Sequence, residues 1–375
     1  MITLKNNEEK LIIKYTNYQN KKKNNKLCIL SHYNKNQVIE DYVKYMIKQL
    51  HKLKFDVVFV TTSEKISSVK LDSLKKYLHT SIIRKNSGYD FISWKTGLSF
   101  VKDYKKYESI LHINDSIFFP LVNPKKIFKK MNKNKVDFWG MTDSFKETYH
   151  IESFFWVVNK ELIQSDVYKD FWNSCTILED KNQIIKNYEM GFANLFINHG
   201  YKCSTYIPIK QVLKKIKLSF KENSLENLEQ KRSFNLFWDL IIKKFNATFI
   251  KKKILIKSHS EYNPTTFLYK EILNTYTTYN INLIENTLKK EEPKDSELQE
   301  KARLEGLPLN SVFLISKTIT AGSFIVGKEY KIVSVGTTDF TLIGASANTV
   351  GLWFVATGVG TGDGTAKYEE RTILT

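Results

Sequence analysis

Short apolar runs alternate with stretches of helical spacing over the first 142 residues. KLCILSHY (Lys26 to Tyr33) and FDVVFVTTS (Phe55 to Ser63) are almost continuously apolar, the pattern of strands buried on both faces of a parallel sheet. VIEDYVKYMIKQLHKL between them repeats its apolar residues at helical intervals. The order continues with a strand in TSIIRKN, a helix in FISWKTGLSFVKDY, a strand in YESILHIND, a helix in NPKKIFKKMNK and a strand in VDFWGMT. This predicts an α/β fold with a doubly wound, mostly parallel sheet, whose ligands sit at the carboxyl ends of its strands. An aromatic-rich element, HIESFFWVVNKELI, follows, then a helix DVYKDFWNSC and another helix beginning near Tyr188.

Beyond residue 208 the pattern changes twice. Residues 209–290 read as a helical, lysine-rich extension interrupted at Asn263-Pro264, and 291–310 as a charged linker. Residues 311–375 carry alternating runs such as KEYKIVSV and DFTLIGAS between Gly and Asn turns, and 10 of the 15 glycines lie after residue 300. A small antiparallel β module is expected there, separate from a first domain over 1–208.

Composition adds a sharp charge asymmetry. The net charge is +19, yet from Glu291 onward there are 8 Lys+Arg against 11 Asp+Glu, so the basic character belongs to residues 1–290. Such a surface attracts polyanions, but without a nucleic-acid motif it does not make a nucleic-acid-binding protein. Cys28, Cys175 and Cys203 are far apart, with no CxxC pair, which argues against a disulfide framework or zinc site. No apolar run approaches the length of a membrane span, and MITLKNNEEKL lacks the apolar centre of a signal peptide. The expectation is a cytoplasmic protein whose basic surface permits peripheral contact with the inner membrane face.

The strand ends hold the candidate chemistry: Ser31-His32-Tyr33, the stretch Arg84 to Asp90, and Asn114-Asp115-Ser116. An aspartate just past an apolar strand, here Asp115, suits a divalent cation that bridges nucleotide phosphates, and equally suits a turn cap. In the second stretch Gly88 permits close backbone approach, Asn86 and Asp90 offer hydrogen bonds to ribose or base, and Arg84 offers a fixed cationic fork. The competing reading makes Gly88 a turn, Tyr89, Phe91 and Trp94 core, and Asp90 a helix cap. Glu189, placed at a helix start with Phe192, Leu195 and Phe196 facing the core, is a candidate general base. Asp143, His150 and Glu152 stand near the same pocket.

Taken in order, LSHYNK, RKNSGYDFISWKTGL, LHINDSIFFP, DFWGMTDS, HIESFFWVVNKELI and NYEMGFANLFINHGYK resemble the rhamnan synthesis protein F family of bacterial glycosyltransferases. The resemblance runs from about 26 to 206, with an echo through SFNLFWDLIIKKFNATFIKKKIL to about 257. It implies a GT-A-like fold, a nucleotide-sugar donor such as dTDP-rhamnose, and transfer to a surface-polysaccharide or lipid-linked glycan acceptor, with inversion. It places Asp115 as the ligand of a divalent cation, Mg²⁺ or Mn²⁺, and Glu189, with Asp143 near it, as catalytic. The donor would meet His32, Tyr33, Arg84, Asn86, Gly88, Asp90, Trp94, Lys95 and Asn114. One carboxylate in the Asn-Asp-Ser motif, where acids are usual, leaves lysines as the alternative counter-charge. The run from Phe324 to Glu370 looks like small β modules of tailed-phage structural proteins, which implies a viral or prophage setting. The rival reading is a virion-structural or carbohydrate-binding protein on a degenerate transferase domain.

Overall fold

The computed structural model describes residues 1–18, 24–145, 148–215, 237–256, 268–291 and 312–373. These fall into two compact units, one holding 1–256 and 268–291, the other 312–373. Most of the expected linker, 292–310, and Asn263-Pro264 lie outside the described residues.

The first unit is built on one large sheet. Its strands are β1 (Ile12–Asn17), β2 (Lys26–His32), β3 (Phe55–Thr61), β4 (Thr80–Arg84), β5 (Ser109–Asn114), β7 (Phe138–Ser144), β8 (His150–Ile151), β9 (Phe155–Asn159) and β10 (Cys203–Ile207), and the short β6 (Ile117–Phe118) stands outside it. The order is β1-β4-β3-β2-β5-β9-β7-β10, with β8 on β7. Strands β4, β3, β2 and β5 run parallel, as do β7 and β10, while β1 and β9 pair antiparallel with their neighbours. The chain steps outward from β2 to β4 and then returns to β5 on the other side of β2. That reversal is the switch point at which an open α/β sheet binds ligands, and it falls between Ser31 and Asn114.

The two faces of the sheet are covered as its apolar runs require. Helix Tyr89–Ser99 packs against Ile29 and Val60, where a Cβ on Gly97 would stand 2.4 Å from Ile29 Cγ2, so only glycine admits this approach. On the opposite face Phe55, an odd five residues from Val60, meets Phe128 of helix Lys125–Lys133 at 5.6 Å between ring centroids. The expected strand and helix positions agree with these elements. Four elements differ. DFTLIGAS forms a 3₁₀ turn at Phe340–Ile343, because Asp339 caps it and Gly344 ends it at φ 106°. Edge strand β1 escapes the pattern, being mostly exposed, and β10 is partly exposed. The helix expected near Tyr188 starts earlier: Lys181–Ile184, Ile185–Met190 and Gly191–Asn198 run on as one helix with a π turn in the middle.

The lysine-rich extension belongs to this same unit. Its β11 (Ile250–Lys251) pairs antiparallel with β6, Thr248 O accepts from Leu121 N at 2.7 Å, and Thr278 N donates to Leu121 O. In the second unit β12 (Val312–Thr320), β13 (Glu329–Ser334), β14 (Trp353–Val355) and β15 (Thr365–Ile373) form the antiparallel order β12-β15-β13-β14 around Phe324, Tyr330, Phe340 and Phe354. Among the described residues no helix is long and apolar enough to cross a membrane.

The N-terminal residues lock onto the first unit through a buried ion pair. Lys95 Nζ, wholly buried, donates to both oxygens of buried Glu8 at 2.7 and 3.0 Å and to the Cys175 carbonyl at 2.8 Å. Removing one partner strands the other charge in the core. Lys95→Met is therefore expected to cost about 3–5 kcal/mol in urea unfolding, whereas Glu8→Leu with Lys95→Met recovers most of it. Equal losses in the single and double variants would contradict this.

Candidate functional site

A cleft of about 460 Å³ opens over the switch point. Asp90, Asn114 and Ser116 supply its floor, and Glu189, Ile184, Ile185 and Lys181 come from the interrupted helix. His150, Glu152, Ser153 and Phe154 come from β8 and the turn after it, and Lys251, Lys252 and Lys253 from β11 and the residues beyond.

Asp90 bridges the reversal itself. Its carboxylate accepts from Ser31 Oγ of β2 at 2.7 Å and from Asn114 Nδ2 of β5 at 2.9 Å. Burial raises its pKa, and those two hydrogen bonds oppose the rise. Glu189 stands in the π turn, and its Oε1 accepts from Ser153 N at 2.7 Å. It is not at a helix start, so the macrodipole has no part in its placement. Such single-turn π segments recur at functional sites.

The lysine wall reaches the cleft because β11 pairs with β6, with Lys251 opposite Ile117 and Lys252 N donating to Ser116 O at 2.8 Å. Lys251 meets Glu152 Oε1 and lies 4.8 Å from the Phe154 ring, while Glu152 Oε2 accepts from Thr142 Oγ1 at 2.6 Å. Burial pushes the Glu152 carboxyl up, but the Lys251 ammonium and these hydrogen bonds outweigh it and hold it below the usual range. These lysines escaped the sequence reading. In a chain with 58 Lys and Arg, a run of three carries no signal until β11 shows where it points.

Asp90, Asn114, His150, Glu152 and Glu189 thus line one cleft, Asp115 adjoins it, and the other candidates stand elsewhere. Arg84 is not an open fork: it is wholly buried, and its five donors go to Lys85 O, Ser87 O, Tyr89 O and twice to Ser93 Oγ. Lys95 is consumed by Glu8. Trp94 is core, its Nε1 donating to Ile113 O at 3.1 Å. Gly88 is a turn residue at φ 73°, where a Cβ would lie 2.5 Å from Ile92 Cγ1. His32 is buried with Nδ1 on Thr61 Oγ1 at 2.8 Å, and burial lowers its pKa to about 4. Tyr33 and Asn86 are exposed and off the cleft wall. Tyr89, expected in the core, is instead exposed on the cleft wall, because φ 51° turns its residue outward.

Asp143 and Asp115 have other duties. Asp143 accepts from Ile209 N at 2.7 Å and Thr205 Oγ1 at 3.2 Å, so it ties β7 to β10 and to the start of helix Ile209–Lys215. Asp115 adjoins the cleft through Lys252, whose Nζ is 3.8 Å from its Oδ2, and Tyr42 Oη donates to that same oxygen at 3.3 Å. Among the described residues no three His, Cys, Asp or Glu side chains gather as a metal site. Asp115 interacts through its charge with the Asp90 carboxylate as well as with the Lys252 ammonium.

Residues 57–323 match the family described as rhamnan synthesis protein F. The chain belongs to that family. The match begins inside β3, and its span takes in the extension. The chain is 28% identical over 284 residues to virulence protein VirA of Vibrio anguillarum, covering 70% of this chain and 87% of that protein. Among solved structures it is similar to the glycosyltransferase GlyE of Streptococcus pneumoniae TIGR4 (11% identity, TM-score 0.35, 72% of this chain and 66% of that one). It is also similar to the mannosyltransferase Ktr4p of S. cerevisiae (13% identity, TM-score 0.26, 39% and 59%). These scores are too low to bear on function.

Burial raises the Asp143 carboxyl to about 6. A raised acid favours the fold below its unfolded pKa and loses that contribution as pH climbs through the folded value. Asp143→Asn keeps an acceptor for Ile209 N and is expected to flatten the decline in unfolding free energy between pH 4 and 6, on the order of 3 kcal/mol. Urea titrations across that range check it, and an unchanged slope would refute the assignment.

Proposed function

We propose that this protein is a glycosyltransferase that moves a sugar, rhamnose by the sense of its family's name, from a nucleoside-diphosphate donor to a hydroxyl of a glycan acceptor, with inversion. The observation that carries the reading is the cleft itself: lysines from β11 and its sequel and the carboxylate of Glu189 line it together, Lys251 on Glu152 and Glu189 on Ser153 N.

Each part has a task in such a transfer. As the bond from the anomeric carbon to the diphosphate oxygen breaks, negative charge gathers on the leaving group, and Lys251, Lys252 and Lys253 meet it without reorganising. Lysines suit a diphosphate as point charges, and here they take the role that a divalent cation would otherwise have. Glu152 orients Lys251. Glu189, with one oxygen fixed by Ser153 N–H, takes the acceptor's proton with the other as the hydroxyl oxygen forms the new bond to the anomeric carbon. Asp90 and Asn114 hold donor hydroxyls at the switch point. A lipid-linked acceptor fits the basic surface of this unit, since anionic headgroups attract lysine.

Glu189→Gln is expected to lower kcat by 10²–10⁴-fold with dTDP or UDP affinity unchanged. Lys251→Ala with Lys252→Ala should abolish the thermal stabilisation that these nucleotides give, which in the native protein is the same with and without Mn²⁺. Full turnover by the Glu189 variant would sink its role as base, and a strict Mn²⁺ requirement would sink the lysine substitution for metal.

A further inference from the structure

We propose that Tyr89 is the platform on which the donor's base stacks, and that Arg84 is the positioning residue that holds it there. The proposal rests on the reading of the cleft as a nucleoside-diphosphate site and adds which end takes the base. Tyr89 sits at φ 51°, immediately after Gly88 at φ 73°, so two successive residues are left-handed and the second is a tyrosine. That conformation is unfavourable for any side chain with a Cβ, and it persists only where surrounding contacts impose it.

The contacts that impose it are those of Arg84. Its Nη2 donates to Tyr89 O at 2.8 Å, its Nη1 to Ser87 O at 2.7 Å and Lys85 O at 3.1 Å, and Nε and Nη2 to Ser93 Oγ at 3.1 and 2.9 Å. A guanidinium that carries charge into the core without a carboxylate within 4.0 Å, among the described residues, is costly. So is a left-handed tyrosine. Glycine at 89 would satisfy the turn, so the turn alone does not explain the residue chosen. What the pair produces is a large ring, 47% exposed, on the wall of the cleft. Among the described residues that ring stacks on no other and its hydroxyl has no hydrogen-bond partner.

The cleft is divided in a way that suits a nucleotide. Loop 85–89 is tied to the segment before the interrupted helix by Ser87 Oγ donating to Glu179 at 2.6 Å, and Ile184 and Ile185 of that helix, with Lys181, line the same cleft as Tyr89. The lysines are anchored around Ser116 and Asp115. A flat, apolar-faced base belongs beside Tyr89 and the diphosphate beside those lysines.

Calorimetric titration of the full chain with dTDP, UDP and pyrophosphate separates the two ends. The native protein should bind the better nucleotide at least tenfold more tightly than pyrophosphate. Tyr89→Ala should lose that advantage and keep pyrophosphate affinity, while Tyr89→Phe stays within about twofold of native. Tyr89→Gly, which relieves the backbone, should show the same base-specific loss with Tm kept or raised. Ser93→Ala, which deprives Arg84 of the oxygen receiving two of its donors, should give a smaller loss of the same kind. Native nucleotide affinity in Tyr89→Ala, an equal loss of pyrophosphate, or a large fall in Tm for Tyr89→Gly would overturn the proposal. A native protein that binds neither nucleotide nor pyrophosphate would sink the transferase reading itself.

Discussion

The buried guanidinium of Arg84 is the constraint from which the cleft follows. With its five donors committed to one turn of chain, residues 85–89 leave β4 in a single geometry, and helix Tyr89–Ser99 begins at a fixed point. Asp90 then falls where it can take hydrogen bonds from Ser31 and Asn114 together. Those two residues pair near the carboxyl ends of the neighbouring parallel strands β2 and β5. One buried cation thus sets the register between a loop and the reversal of the sheet, and Gly97 lets the same helix settle on Ile29. A buried charge with satisfied donors is weak support for stability but strong support for one particular geometry.

What the sequence made legible was whatever depends on repetition. Parallel strands covered on both faces announce themselves as apolar runs, and helix Asp41–Lys52 by its spacing, because many residues vote together. Single charged side chains have no such support. Arg84 and Lys95 look like ligands for an anion in NSGYDFISWKTGL and its flank, yet the partner that claims Lys95 is Glu8, 87 positions away. Edge strand β1, which follows Glu8 in the chain, has no buried residue and so shows no period. Lys251 to Lys253 failed for another reason. Their run is lost among 58 Lys and Arg, and only the two-residue pairing of β11 with β6 gives it an address.

The placement of Glu189 shows how packing can set a functional side chain without any local preference for it. Ile184, Tyr188, Phe192 and Phe196 are all buried and recur every four residues. In a regular α-helix four residues turn about 400°, so such a stripe drifts by about 40° at each step and would leave the core by its last member. A wider turn absorbs the drift, and the π segment Ile185–Met190 lies in the middle of the stripe. Tyr188 can then keep its hydroxyl on Thr176, donating to its carbonyl at 2.9 Å, while Phe192 stacks on Trp156 at 3.9 Å. Glu189, next to Tyr188 and off the stripe, is carried to the cleft and meets Ser153 N. The aromatic core thus imposes the helix defect, and the defect aims the carboxylate.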